Sequence, residues 1–236
     1  MHIIPIFSTI VTFAFMVAVF RRYQKRHGLH LLIWTIGLAW YGVGTLSEVI
    51  LGLTYSGFVL KFWYLAGAMM TAAWLGQGTV HLLVRKRGVA MGLTIFLTLV
   101  SILASIMIFT APFATNSPAF QMTQAISSQY KEILTRSGLT IALTIILNLY
   151  GTVTLVGGAI YSAFLFWRKR VLFNRMIGNV LIAGGALAPA MAGSFVNLGM
   201  ADVLYFSELV GVILMYIGFV KATTSPVVVA APASAD

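Results

Sequence analysis

Apolar residues dominate seven stretches of this chain, at about 3–20, 30–53, 62–84, 89–110, 138–167, 175–198 and 203–221, and polar residues collect between them. A bilayer core roughly 30 Å thick is crossed by about 20 helical residues, so each stretch is long enough for one crossing. Backbone groups inside lipid must pair within their own segment, which leaves helices as the form these runs take. The pattern therefore predicts an all-α polytopic membrane protein with seven transmembrane helices, a domain over residues 1–221. The run at 138–167 exceeds what a crossing needs and either tilts or projects beyond the membrane.

Two segments fall outside this scheme. Between the fourth and fifth runs lies residues 111–137, where Ser117-Pro118 reads as a cap and first helical residue, and Ile126, Tyr130, Ile133 and Leu134 share a face. A helix over about 118–136 follows, either resting on the outer leaflet or forming a lid over an outward-facing cavity. Residues 222–236, rich in Ala, Pro, Ser and Val without periodicity, read as a disordered cytoplasmic tail.

Within the runs, small and polar residues recur at helical spacing. The second carries Gly37, Tyr41, Gly44 and Glu48, and the third Gly67, Thr71, Trp74, Gly78 and His81. The fifth carries Thr144, Asn148, Gly151 and Gly158, the sixth Ala186, Pro189, Gly193 and Asn197, and the seventh Glu208, Gly211, Met215 and Gly218. Such stripes face a bundle interior, where they serve close helix packing or line a polar cavity. If they line a cavity, its candidate ligand-binding residues are Tyr41, Glu48, Trp74, Asn148, Asn197 and Glu208.

Glu48 and Glu208 stand out because ionisable residues inside spans are costly and mark functional sites by default. Counted from His30, Glu48 lies about 27 Å along its helix, and Glu208 lies one to two turns inside the same membrane face. If the second and seventh helices are neighbours the two carboxyl groups can meet, and desolvation and repulsion would hold a proton on the pair. The competing reading has each carboxylate hydrated near the headgroups or paired with Lys61 or Arg136.

Composition narrows the functional classes. The chain is 60% hydrophobic and 8% charged, against roughly 25% charged in soluble domains, which leaves no room for a sizeable aqueous domain. Absence of cysteine excludes thiolate nucleophiles, disulfides and cysteine-bound metals. Glu48, Glu132, Asp202, Glu208 and Asp236 are the only acids, and no nucleophile elbow or phosphate-binding loop occurs, so no enzymatic activity is expected. His27, His30 and His81 approach one boundary among Arg22, Lys25, Arg26 and Arg85, a setting that disfavours a metal cation. Retinal would need a lysine midway along the seventh helix, where Met215 and Tyr216 stand, with Lys221 too far along. No cofactor is expected.

The net charge of +10 changes the picture once its distribution is seen. Arg21, Arg22, Lys25 and Arg26 follow the first run, Arg85, Lys86 and Arg87 the third, Arg168, Lys169, Arg170 and Arg175 the fifth, and Lys221 the seventh. Only Lys61, Lys131 and Arg136 fall on the other side. The positive-inside rule then places the N-terminus outside and the C-terminus in the cytoplasm. Because the first basic cluster follows its apolar run, that run reads as a retained helix and not a signal peptide. Clusters beside spans point to anionic lipid headgroups, not to nucleic acid, as partners.

Spans one to three and five to seven overlay at an offset near 149, matching Phe20-Arg21 to Trp167-Arg168 and Gly44-Thr45 to Gly193-Ser194. This implies a parallel 3+1+3 repeat, a layout similar to that of the sugar-transporting SWEET proteins.

Between Gly37 and Arg87, Glu48 closes one span, Phe62-Trp63-Tyr64-Leu65 opens the next, Ala73-Trp74-Leu75-Gly76-Gln77-Gly78-Thr79 fills its middle and Arg85-Lys86-Arg87 ends it. The stretch resembles an uncharacterised bacterial seven-helix family and, more distantly, the seven-helix sensor regions preceding bacterial histidine kinases. The resemblance implies sensing of a ligand or of membrane state from the bacterial plasma (inner) membrane. The expectation is a receptor-like protein that binds a small molecule or lipid in an outer-half cavity and acts on a membrane protein partner. The alternatives are a small-solute or proton-coupled transporter and a structural or assembly subunit of a larger membrane complex.

Overall fold

The structure, a computed structural model, describes residues 3–86, 88–115, 119–168, 173–196 and 202–223. Ser117 and Pro118, Asn197, the basic residues Arg87, Lys169 and Arg170, and the tail beyond Thr223 lie outside them. Among the described residues the chain is helical: α1 Ile3–Arg26, α2 Leu29–Leu51, α3 Gly57–Trp63, a π-helical segment Tyr64–Met70, α4 Thr71–Leu83, α5 Val89–Thr110, α6 Ile126–Ile133, α7 Gly138–Arg168, α8 Phe173–Val196 and α9 Asp202–Thr223. The segments α3, π and α4 run on as one helix, Gly57–Leu83.

Six helices among the described residues are long and apolar enough to cross a membrane: α1, α2, Gly57–Leu83, α5, α7 and Val203–Thr223 within α9. The protein is thus an all-α, multi-pass membrane protein. The run expected at 175–198 is a 24-residue helix, α8, with Pro189 inside it.

Short connections fix the neighbours. α1 ends with Lys25 and Arg26 in its last turn, where cations favour the helix dipole, and His27 closes it at φ 51. Only His27 and Gly28 separate α1 from α2, so the two pack antiparallel. Ser56 caps α3 by accepting from the Val59 N–H at 3.4 Å. Around the bundle α1 packs on α2, α2 on Gly57–Leu83, that helix on α7, α7 on α8, α8 on α9, and α9 back on α1. The helix Gly57–Leu83 is the most enclosed of the spans, with 56% of its apolar window buried, whereas α5 lies at the periphery with 17%.

Glycines set the tightest approaches. A methyl on Gly185 would lie 2.5 Å from the Gly211 carbonyl oxygen, and one on Gly211 would lie 2.5 Å from that of Gly185. Gly178 and Gly218 form a second reciprocal pair one heptad away, so α8 and α9 touch backbone to backbone along an antiparallel seam. Gly151 of α7 rests on the backbone of Ala72 and Ala73 in the same manner.

The stripe read on the third span does not form one face. Gly67 is exposed, Trp74 turns to Ser101 of α5, Gly78 lies under Trp34 of α2, and His81 meets Thr94 of α5. The π-helical segment puts Gly67 out of phase with the other three, which follow it in regular α4: its i→i+5 turn closes with Thr71 N–H on the Ala66 carbonyl and admits an extra residue. One extra residue rotates everything beyond it by about 100°, so uniform 3.6-residue spacing loses phase there.

The segment after α5 also departs from its expected form. Its helix is Ile126–Ile133, shorter than 118–136, and begins at Ala125. Pro112 to Ala114 pairs with Ile133 to Thr135 through backbone hydrogen bonds of 2.9 and 3.1 Å. Ile126, Ile133 and Leu134 are buried against Leu51, Trp63 and Tyr64, so α6 is docked on the end of the bundle that holds Glu48.

Candidate functional site

At that end α2 and α9 are bridged by side chains. Tyr41, two turns before Glu48, donates its hydroxyl proton to the Glu208 main-chain oxygen at 2.9 Å. The carboxyl groups of Glu48 and Glu208 stand close enough to act on each other electrostatically. Glu48 is 4% exposed, and its Oε1 accepts from the Trp63 indole N–H at 2.9 Å. No N–H or O–H donor among the described residues reaches Oε2 of Glu48 or Oε2 of Glu208, although both atoms are buried. Two carboxyl groups can bond to each other only when one of them carries a proton.

The cations that offered another explanation are held elsewhere. Lys61 donates to the Phe109 carbonyl at 2.9 Å and lies 4.8 Å from the centre of the Phe113 ring. Arg136 lies over the rings of Tyr130 and Tyr64, at 4.9 and 5.6 Å.

The short helix α6 is tied to both sides of the pair. Trp63, the donor to Glu48, meets Tyr130 of α6 edge to face with ring centres 5.2 Å apart. Tyr205, one turn before Glu208, accepts from the Ile126 N–H at 3.2 Å and so satisfies the start of α6, which has no side-chain cap of its own. Burial pushes the Tyr130 hydroxyl above its ordinary value, and Arg136 pulls it back, so Tyr130 stays a neutral aromatic wall. A displacement of α6 therefore reaches Glu48 through Trp63 and Glu208 through Tyr205.

Of the six sequence-derived site residues, the structure brings together Tyr41, Glu48 and Glu208. Trp74 and Asn148 lie elsewhere, and Asn197 is outside the described residues. Trp74 donates to Ser101 at 3.1 Å on the α5 side. Asn148 donates to the Ala68 and Thr144 carbonyls at 2.5 and 2.9 Å, and so braces the π-helical segment. Trp63 and Tyr205 complete the site without having been singled out by spacing, and Tyr130, read as part of the apolar face of the outer helix, joins them. Trp63 had one signal: an indole N–H near the membrane boundary needs an acceptor, and Glu48 is close by in sequence.

A second buried polar group lies nearer the basic end. Gln77, wholly buried, accepts from the Tyr150 hydroxyl and donates to the Ala90 carbonyl and Thr94 Oγ1 at 2.9 and 2.8 Å. His81 Nε2 meets Thr94 Oγ1 at 2.7 Å. Every polar atom of the Gln77 amide has a partner, so this group acts as interhelical adhesive between α4, α5 and α7. Among the described residues no cluster of three metal-ligating side chains occurs.

The site and fold together define a helical membrane protein with a buried carboxyl pair under a docked helix. No protein-family profile, curated protein or solved structure matches this chain.

Proposed function

We propose that this chain is a non-enzymatic, receptor- or sensor-like protein of the bacterial plasma membrane, with seven spans including α8, its N-terminus outside and its C-terminus cytoplasmic. A small molecule or lipid with a donor or cationic group binds at the Glu48–Glu208 pair, and the response passes to a partner membrane protein. One observation carries this reading: two carboxyl groups close together inside spans, each with a buried oxygen that no donor among the described residues reaches. A ligand that supplies those donors discriminates between the docked and displaced positions of α6, which is the differential interaction a switch requires.

A second reading, a small-solute or proton-coupled transporter, draws on a different observation. The helices α1, α2 and Gly57–Leu83 pack in chain order, as do α7, α8 and α9, with α5 outside both. Glu48 belongs to the first triplet and Glu208 to the second, which is where a parallel-repeat transporter places its substrate and coupling ion.

Organic amines and neutral amphiphiles, tested for thermal stabilisation of the protein in nanodiscs, should yield binders that weaken at least about tenfold in Glu48→Gln and Glu208→Gln. Binding unaffected by either variant would remove the pair from the site. Flux of such a binder into proteoliposomes selects the transporter, and its absence with binding intact selects the receptor. For the orientation, a cysteine at Thr123 should label from outside intact cells and one at Lys86 only after permeabilisation. The reverse pattern would overturn it.

A further inference from the structure

A shallow apolar groove of about 570 Å³ runs between α7 and α8 at the basic end, lined by Ile160, Phe164, Trp167, Met176, Val180 and Gly184 among others. Ile160, Phe164 and Trp167 stand on one face of α7, and all of these large side chains but Met176 are outwardly exposed, so the groove opens toward the hydrocarbon. From Ile160 to Trp167 it extends about 10 Å along the helix, which fits within the roughly 15 Å depth of one leaflet. Gly184 has open space where a side chain would be, so the groove floor is unfilled.

Charge identifies what belongs there. Trp167 is followed by Arg168 and Met176 is preceded by Arg175, so an arginine stands on each helix where the groove reaches the end of the bundle. Arg175 reaches across to α7, its guanidinium 6.0 Å from the centre of the Phe166 ring. Arg22 of α1, which donates to the Thr223 carbonyl at 3.0 Å, lies within electrostatic reach of both Arg175 and Arg26. The acids of the described residues, Glu48, Glu132, Asp202 and Glu208, are all at the opposite end of the helices. Among the described residues the arginine cluster has no acid at its own end, and it stands beside an apolar channel of acyl-chain depth.

We infer that the α7–α8 groove is a binding site for one anionic phospholipid, whose acyl chain lies along Phe164, Val180 and Gly184 and whose phosphate is held by Arg168 and Arg175. This goes beyond a general attraction of basic termini to headgroups, because chain and headgroup are bound at one place. A zwitterionic lipid can fill the groove but does not neutralise the arginines.

Trp167 reports directly on occupancy. The full chain is reconstituted in nanodiscs of phosphatidylcholine containing a small fraction of either phosphatidylglycerol or phosphatidylcholine brominated on its acyl chains. The Trp167 contribution is the difference in quenched fluorescence between wild type and Trp167→Phe. Brominated phosphatidylglycerol should quench it at a several-fold lower fraction than brominated phosphatidylcholine, with about fivefold selectivity for each arginine engaged. R168Q/R175Q should erase that selectivity, and Gly184→Leu, which fills the floor, should reduce quenching by both lipids. Arg168 and Arg175 are exposed, so the double variant tests the site even if Gly184→Leu fails to fold. Equal quenching by the two lipids would show ordinary boundary lipid and overturn the proposal. Quenching by neither, with two chains per nanodisc, would assign the groove to a second copy and also overturn it.

Discussion

The infrared spectrum of this protein, recorded in a detergent without ester groups, should contain a carboxylic-acid carbonyl stretch that disappears in both Glu48→Gln and Glu208→Gln. The two carboxyl groups stand close together, and a hydrogen bond between them requires one shared proton. A Gln amide supplies the donor that the shared proton supplied and removes the repulsion between two carboxylates, so the band is lost from either side if that pairing, and not burial alone, holds the proton. Retention of the band in one variant would show that the other glutamate carries its proton independently of the pair.

Apolar substitutions should separate the two residues. Glu48 Oε1 is the acceptor for Trp63, so Glu48→Leu leaves a buried indole N–H unpaired, at a cost of about 1–3 kcal/mol. The Tyr41 bond to Glu208 uses the main-chain oxygen and survives Glu208→Leu. Thermal unfolding should accordingly show Glu48→Leu less stable than Glu208→Leu, while Glu48→Gln, which keeps an oxygen for Trp63, stays near wild type. Equal loss in the two leucine variants would mean that the indole bond contributes nothing.

Adjacent glycines of α8 should respond in opposite ways. Gly185→Leu drives a side chain into the backbone of Gly211, which cannot yield without separating α8 from α9, and overpacking of this kind costs about 1–3 kcal/mol or more. Gly184 faces open space one residue away, so Gly184→Leu should leave the unfolding temperature near that of wild type and gain slightly in helix propensity. Because Glu208 lies on α9 three residues before Gly211, Gly185→Leu should also disturb the carboxyl pair and weaken the infrared band. Similar unfolding temperatures for the two variants would contradict the α8–α9 seam.

The approximate limits and helical nature of the apolar runs were legible in the sequence, and so was the segregation of basic residues to one end, though six and not seven of the runs are, among the described residues, helices long and apolar enough to cross a membrane. Both follow from local rules: about 20 apolar residues cross a bilayer core whatever their neighbours, and backbone polarity in lipid enforces helix. The sequence also placed Glu48 and Glu208 at similar depth, because rise along a helix is fixed at about 1.5 Å per residue. The tertiary structure decided what depth cannot: which face each residue takes and what stands opposite it. The meeting of Glu48 with Glu208 depends on how α2 and α9 are rotated about their axes around α1, and Gly185, Gly211 and their heptad partners set the position of α9 through backbone contact. The turn of π-helix that puts Trp74 out of phase with the start of its span is likewise invisible to a uniform period, and Asn148, on α7, turns to the Ala68 carbonyl of that segment. The docking of α6 depends on Tyr130 and Tyr205 finding partners far away in sequence. Hydropathy adds up along the chain, whereas these pairings depend on angles and sub-ångström fits between helices, which a one-dimensional pattern does not carry.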